Sequence, residues 1–405
     1  MLYTLHEWQH AMLAPMNALA RTHKDIFSHP FSPLAYHPLS NNIAAGADLL
    51  HRVTARYEKP AWEIEHTFID GSEVPVELQV ADATPFCKLI HFRRAATRDD
   101  PRVLVVAPLS GHFATLLRDT VRSLLPEHDV WVTDWVDAKM VPATHGPWHL
   151  DNYVDTVRRF IRHLGNDLHV MSVCQPTVPV LAAISLMAAD DETVKPRTMT
   201  MMGGPIDARR SPGAFNSLAV KHPISWFERR MIQRVPGKYP GAMRRVYPGF
   251  LQYAGFVAMN PSRHAGAHWE YYSHLVAGDG DSAQAHRRFY DEYNAVLDVP
   301  AEYYLDTVKT VFQEFALPNG TMRMCGQAVR PDAIRKTALL TIEGELDDIS
   351  GSGQTQAAHA LCTGISPNRR EHFTAPRVGH YGIFSGRKWR EVIYPRVRDF
   401  IWRHP

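Results

Sequence analysis

The run from Asp167 to Ala189 constrains this chain more than any other segment. Val170, Met171 and Val173 read as a short apolar strand, and the stretch from Gln175 to Ala189 as an apolar, alanine-rich helix. Pro176 and Pro179 fall in the first turn of that helix, where a missing N–H costs little because those donors have no intrahelical partner anyway. Cys174 stands between the two elements, at a corner where a buried strand turns sharply into a helix. If that corner forms, it fixes the fold and the position of one reactive side chain.

The flanking sequence carries the same alternation. Arg102–Ala107 is a continuous apolar run of the kind expected of a central parallel strand, and Val130–Thr133 is another. Helices are expected at about Phe113–Leu125 and Leu150–Leu164, and a further strand at Arg197–Met202. Upstream, Trp62–Ile69, Val74–Val80 and Phe86–Phe92 alternate and look like antiparallel strands at one edge of the sheet. After Asp207 the alternation stops. Residues 208–335 are helical and loop-like, dense in Tyr, Trp and Phe, and read as a lid inserted into the core. The core resumes with a strand at Thr337–Ile342, a helix near Gln354–Leu361, a strand at Arg370–Thr374 and a closing helix around Lys388–Trp402.

The fold class expected is therefore α/β, a doubly wound and mostly parallel sheet with an inserted helical, aromatic-rich lid. Its expected divisions are an N-terminal helical segment (1–60), the first half of the core (61–207), the lid (208–335) and the second half of the core (336–405). Within the first, Leu2, Leu5, Met12, Met16 and Leu19 recur at helical spacing. A helix docked on the core is the plainer expectation and a helix lying on an apolar surface the sharper one. The proline-rich stretch 29–42 reads as loop.

Totals exclude other classes. The 405 residues suffice for one large domain with an insertion. Forty-four basic residues against 42 acidic ones leave no nucleic-acid footprint. The 4 cysteines lie far apart with no C-x-x-C pair, so a reducing cytoplasm is the expected compartment. Leu2–Met16 is broken by His6, Glu7, Gln9 and His10, unlike a signal peptide, and no stretch is long enough to span a bilayer. No phosphate-loop spacing and no G-x-G-x-x-G after a strand occurs, and His264, His268 and His274 lack an H-E-x-x-H pattern, so neither a cofactor nor a metal is expected.

Chemistry needs partners for Cys174, and they occur in a fitting chain order. Asp347 follows a late strand at a Gly-x-x-Asp position; Asp348, its neighbour, would point elsewhere, and Asp207 is the rival acid. His380 lies on the loop after the last strand, flanked by Gly379 and Gly382. A thiol at its ordinary pKa is mostly protonated at cellular pH, so an adjacent imidazole must hold it as thiolate. Asp347 would fix the tautomer of His380 and stabilise its imidazolium. An oxyanion needs backbone donors. Residue 175 is glutamine rather than proline, so the Gln175 N–H is available, and the loop Pro108–Phe113 would offer a second donor at Ser110 or Leu109.

Singly, each feature has a plain alternative: a small buried thiol, a helix-capping aspartate, a turn. Together they describe a cysteine acyl-transfer enzyme built on the elbow of the α/β-hydrolases, with cysteine where serine is usual. Cys87, Cys325 and Cys362, read as lying on an edge strand, a lid loop and a helix, are taken as structural.

On the segments Met1–Glu7, Ser172–Pro176 and Gly344–Ile349 the chain resembles the intracellular poly(3-hydroxybutyrate) depolymerases. The resemblance implies an α/β-hydrolase fold, with Cys174 as nucleophile, Asp347 as acid and His380 as base. It also implies hydrolysis of amorphous storage polyester in cytoplasmic granules to 3-hydroxybutyrate monomers and short oligomers. The partners implied are the granule surface and a small hydroxyacid product. Against the general box G-x-S-x-G, Ser172 and Pro176 replace the glycines. The first keeps a small side chain and the second keeps the donor at Gln175. The related polyester synthases usually keep both glycines, which favours degradation. The alternatives are thiolysis by coenzyme A, a synthase or 3-hydroxyacyl thioesterase, and a non-catalytic granule-coat protein. Oligomeric state is not legible.

Overall fold

A computed structural model of the chain describes residues 2–96, 98–259 and 261–405. Among the described residues, nine strands form one sheet. They are β1 (His66–Ile69), β2 (Ser72–Thr84), β3 (Cys87–Arg94), β4 (Arg102–Val106), β5 (Asp129–Trp135), β6 (Leu168–Val173), β7 (Thr198–Met202), β8 (Ala338–Gly344) and β9 (Arg370–Ala375). Their spatial order is β1-β2-β3-β5-β4-β6-β7-β8-β9. The first three and the β3–β5 junction pair antiparallel, and every pairing from β5 onward is parallel. This is the doubly wound, mostly parallel sheet of an α/β-hydrolase.

The central strands read as continuous apolar runs because helices cover both faces: every residue of β6, β7 and β8 is buried. Five helices belong to the N-terminus and to the first half of the sheet: α1 (Leu2–Ser28), α2 (Ser40–Thr54), α3 (Arg118–Leu124), α4 (Leu150–Leu164) and α5 (Thr177–Ala189). Helix α5, apolar all round, is buried from Thr177 to Met187. Between β7 and β8 lie α6 (Ala214–Lys221), α7 (Ile224–Met231), α8 (Gly249–Met259), α9 (Pro261–Ala277), α10 (Gly280–Asn294) and α11 (Ala301–Thr307). A small sheet of Gln233–Arg234, Arg245–Tyr247 and Val299–Pro300 accompanies them. Among the described residues no helix is long and apolar enough to cross a membrane.

Several expectations are corrected. Strand β1 starts only at His66, because Glu63 adopts a left-handed φ of 50° that breaks the extended run from Trp62. The helix expected from Gln354 is confined to Ala358–Leu361. The Glu343 carboxylate accepts the N–H groups of Gly353 (2.8 Å), Thr355 (2.7 Å) and Gln356 (2.9 Å), holding those residues in turns. Helix α2 begins inside the stretch read as loop. Cys87 lies on β3, an interior strand with β2 and β5 on either side, and not at an edge. In α1, Leu2, Leu5, Met12, Met16 and Leu19 face solvent and do not dock on the core, whereas Tyr3, Glu7 and Ala20 are buried.

Candidate active site

Cys174 sits one residue beyond β6 with φ +68°, a left-handed conformation that a side chain rarely adopts. Its N–H donates to the Met202 carbonyl (2.7 Å) and its own carbonyl accepts from the Thr177 N–H (3.2 Å), so the turn is held by β7 on one side and by the start of α5 on the other. Ser172 tucks its hydroxyl onto the Thr200 carbonyl (3.3 Å), and Pro176 takes a helical φ of −59°. Glycine is needed opposite. A Cβ on Gly204 would lie 1.9 Å from Thr177 Oγ1 and 2.5 Å from the Cys174 carbonyl oxygen. The Thr355 hydroxyl fixes Gly204 by accepting from its N–H (2.8 Å) and donating to its carbonyl (3.0 Å).

The loops after β8 and β9 bring the other two residues to this corner. His380 Nδ1 lies 2.8 Å from Asp347 Oδ2, and both side chains are buried. The second Asp347 oxygen accepts the N–H groups of Ile349 (2.9 Å) and Ser350 (2.8 Å), which orients the carboxylate. His380 and Cys174 line the same cavity, near enough for charge on the sulfur to act on the imidazole. Burial on its own would push the His380 pKa down. Negative charge at Cys174 and Asp347, with the bond to Asp347, outweighs it and holds the imidazole well above its ordinary value. With Nδ1 turned to Asp347, Nε2 is left for the thiol.

The expected donors lie beside Cys174. Among the described residues the Gln175 N–H meets no protein acceptor. Gln175 Oε1 instead accepts from the Leu109 N–H at 3.5 Å, the long limit of a hydrogen bond. Ser110 lines the same cavity. This loop is tied to the segment between β7 and β8: the Gly111 carbonyl accepts from the Leu297 N–H (2.7 Å), and His112 pairs with Val296. His112 Nε2 lies 3.2 Å from the Tyr293 carbonyl, and burial lowers its pKa to about 4, keeping the ring neutral.

Cys174, Gln175, Leu109 and His380 open on one cavity of about 670 Å³, walled mainly by apolar side chains that include Leu116, Phe215, Leu251, Phe256 and Tyr303. A second cavity of about 480 Å³ adjoins it through Phe256, Ile349 and Tyr381. Asp348 lines both. Asp207, the rival acid, is bound to Arg209 (2.7 and 3.0 Å) and is not brought to His380.

The remaining cysteines differ in kind. Burial pushes the thiols of Cys362 and Cys325 up to about 12, with Asp155 adding to the effect at Cys325, and burial drives Cys87 well above its ordinary value. All four are free thiols. His264 is engaged by the hydroxyls of Tyr290 (3.0 Å) and Tyr293 (3.2 Å). Among the described residues no group of three or more His, Cys, Asp or Glu side chains is placed to hold a metal ion. Sequence reasoning missed the braces Thr355 and Glu343. The signal for the second was present, since Glu343 is the one charged residue in the otherwise uncharged run Ala338–Gly344.

No curated protein matches this sequence. Similar solved structures include a 2-hydroxy-6-oxo-6-phenylhexa-2,4-dienoate hydrolase from Rhodococcus sp. (12% identity, 81% of this chain and 99% of that chain, TM-score 0.47). Others are a hydrolase from Pseudomonas aeruginosa (13%, 80% and 98%, TM-score 0.45) and a monoacylglycerol lipase from Paleococcus ferrophilus (11%, 75% and 95%, TM-score 0.43). The profile of the PHB de-polymerase C-terminus matches residues 203–405, half of the chain, from the glycines opposite the Cys174 turn through Asp347 and His380 to the C-terminus. The chain belongs to the PHB de-polymerase family.

Proposed function

We propose that this protein is a cysteine-dependent depolymerase that hydrolyses poly(3-hydroxybutyrate) to 3-hydroxybutyrate and short oligomers. The observation that carries the reading is the bonded His380–Asp347 pair facing the same apolar cavity as the strained Cys174 turn, in a member of this family. An uncharged polyester with a methyl group on every repeat suits such walls.

In the mechanism, the Cys174 thiolate attacks an ester carbonyl carbon of the polymer, and the carbonyl electrons move onto oxygen. The N–H of Gln175 and that of Leu109 or Ser110 hold the oxyanion. For Leu109, the oxyanion takes the place of the Gln175 amide oxygen that its N–H now meets. As the carbonyl re-forms, the ester C–O bond breaks and His380 gives its Nε2 proton to the departing alkoxide, leaving a thioester on Cys174. His380 then takes a proton from water as that water attacks the thioester. Collapse of the second oxyanion releases the carboxylic acid product and restores the thiolate–imidazolium pair. Asp347 keeps Nδ1 protonated throughout. No step requires a cofactor. The segment 208–335 serves as lid over this site, and the enzyme works at polyester granules in the cytoplasm.

The test compares wild type with Cys174→Ala on amorphous granules, with and without coenzyme A. The expected result is 3-hydroxybutyrate release by wild type without coenzyme A, and none by a variant that unfolds at the same temperature. Acyl-coenzyme A formed only when the thiol is supplied would contradict water as acceptor. Granules bound but uncleaved by wild type would contradict an enzymatic role.

A further inference from the structure

Helix α1 has its polarity reversed. On the inner side, Tyr3 donates to Asp298 (2.6 Å), Glu7 accepts from Lys238 (2.5 Å), Arg56 (2.6 Å) and Tyr239 (2.8 Å), and Asn17 donates to the His51 carbonyl (2.7 Å). On the outer side, Leu5, Trp8, Met12, Met16 and Leu19 follow one another at spacings of three or four and make a continuous stripe. Leu5 is 63% exposed, Trp8 69% and Met12 79%. In the turn after the helix, Phe31 is 91% exposed.

The stripe also lacks charge. From Leu2 to Ala20 the one formally charged residue is Glu7, and it is turned inward and paired. Burial lowers the pKa of His6, to about 4, and of His10, so both rings are neutral at pH 7. Helices that lie on phospholipid carry Lys and Arg for the anionic headgroups. About four turns of exposed leucine, methionine and tryptophan without a cation fit an uncharged apolar surface instead.

The stripe is joined to the lid. Phe250 of α8 packs on Tyr3 (5.6 Å between ring centres) and stacks on His6 (4.2 Å), while Leu251, Gln252 and Phe256 of the same helix line the catalytic cavity. Arg52 of α2 pairs with Asp291 of α10 (2.6 Å), the helix that carries Tyr293. Whatever covers the outer face of α1 therefore bears on helices that wall the site.

We infer that the outer face of α1, with Phe31, is the surface by which the protein seats on amorphous poly(3-hydroxybutyrate). The choice of occupant rests on the function proposed above. The test uses full-length protein carrying Trp8→Glu and Met12→Glu together. Three probes are used: amorphous poly(3-hydroxybutyrate) particles, phosphatidylglycerol vesicles and soluble p-nitrophenyl butyrate. Losing two large apolar anchors is expected to lower co-sedimentation with the particles at least about tenfold, with the soluble ester cleaved at the wild-type rate. Wild-type binding by the variant would overturn the inference. So would equal binding of wild type to the vesicles. A wild-type dimer that the variant converts to monomer, with particle binding unchanged, would overturn it in favour of an interface between copies. If the variant alone fails to bind and wild type binds without cleaving, the docking face stands and the depolymerase reading fails. If both bind and cleave alike, the reverse holds.

Discussion

Helices α5 and α1 are both rich in large apolar side chains, and they meet opposite fates. Helix α5 has no polar face and is buried from Thr177 to Met187 behind the Cys174 turn. Helix α1 has a polar face, and that is the face the protein keeps, because Arg56, Lys238, Tyr239 and Asp298 supply partners for Glu7 and Tyr3. Its apolar stripe is left outside. Apolar periodicity says that a face wants cover. Which body covers it depends on what the inner partners can bond.

The sharpest ways to break this comparison begin at the α5 end. Asp347→Asn leaves the site's shape but removes the charge that holds the His380 tautomer, so turnover of both polymer and soluble ester should fall on the order of 10⁴-fold. A fall of less than about tenfold, measured as initial rates, would separate Asp347 from the chemistry.

Next is a paired measurement of stability. Leu181→Ala in α5 should cost about 3 kcal/mol in urea unfolding, the range for a fully buried leucine. Leu5→Ala in α1 should lie within about 0.5 kcal/mol of wild type. Equal costs at the two positions would mean that the α1 stripe is covered within the molecule itself.

The ion pair at the site gives a third. His380 is raised although burial opposes it, because negative charge at Cys174 and Asp347 favours the protonated ring. Cys174→Ala removes one of those charges, so the His380 ring should titrate at lower pH in the variant, followed by NMR. An unchanged titration would mean that thiol and imidazole do not interact.

The last effect concerns how α1 is held. Burial, and then Asp137, push the Asp298 carboxyl up from 3.8 to about 7. A folded value above the unfolded one contributes stability that is fully present below about pH 3.8 and is lost as pH rises through about 7. Amide exchange in α1, corrected for intrinsic rates, should therefore quicken between about pH 4 and about pH 7, the span of the loss. The same quickening in Asp298→Asn would show that another group is responsible.

Much of the fold was legible because the parallel strands are covered on both faces: the runs at Arg102, Leu168, Thr198 and Ala338 needed no partner to be recognised. Cys174, Asp347 and His380 were legible because each follows a strand end, and the sheet order brings those ends together. What stayed hidden depends on contacts between distant residues. Glu343 shortens the helix after β8 by taking its N–H groups, and Thr355 locks Gly204 from 151 positions away. The direction of α1 was hidden for the same reason, since Lys238 and Asp298 lie far along the chain from Glu7 and Tyr3.

The central claim is that Cys174 carries the acyl group. Its direct test is to mix wild-type protein with short 3-hydroxybutyrate oligomers, quench in acid and map peptides by mass. The expected result is a 3-hydroxybutyryl thioester on the peptide bearing Cys174, absent from Cys174→Ala, which also fails to cleave the oligomers. An acyl group on another residue, or cleavage that persists in Cys174→Ala, would contradict the account.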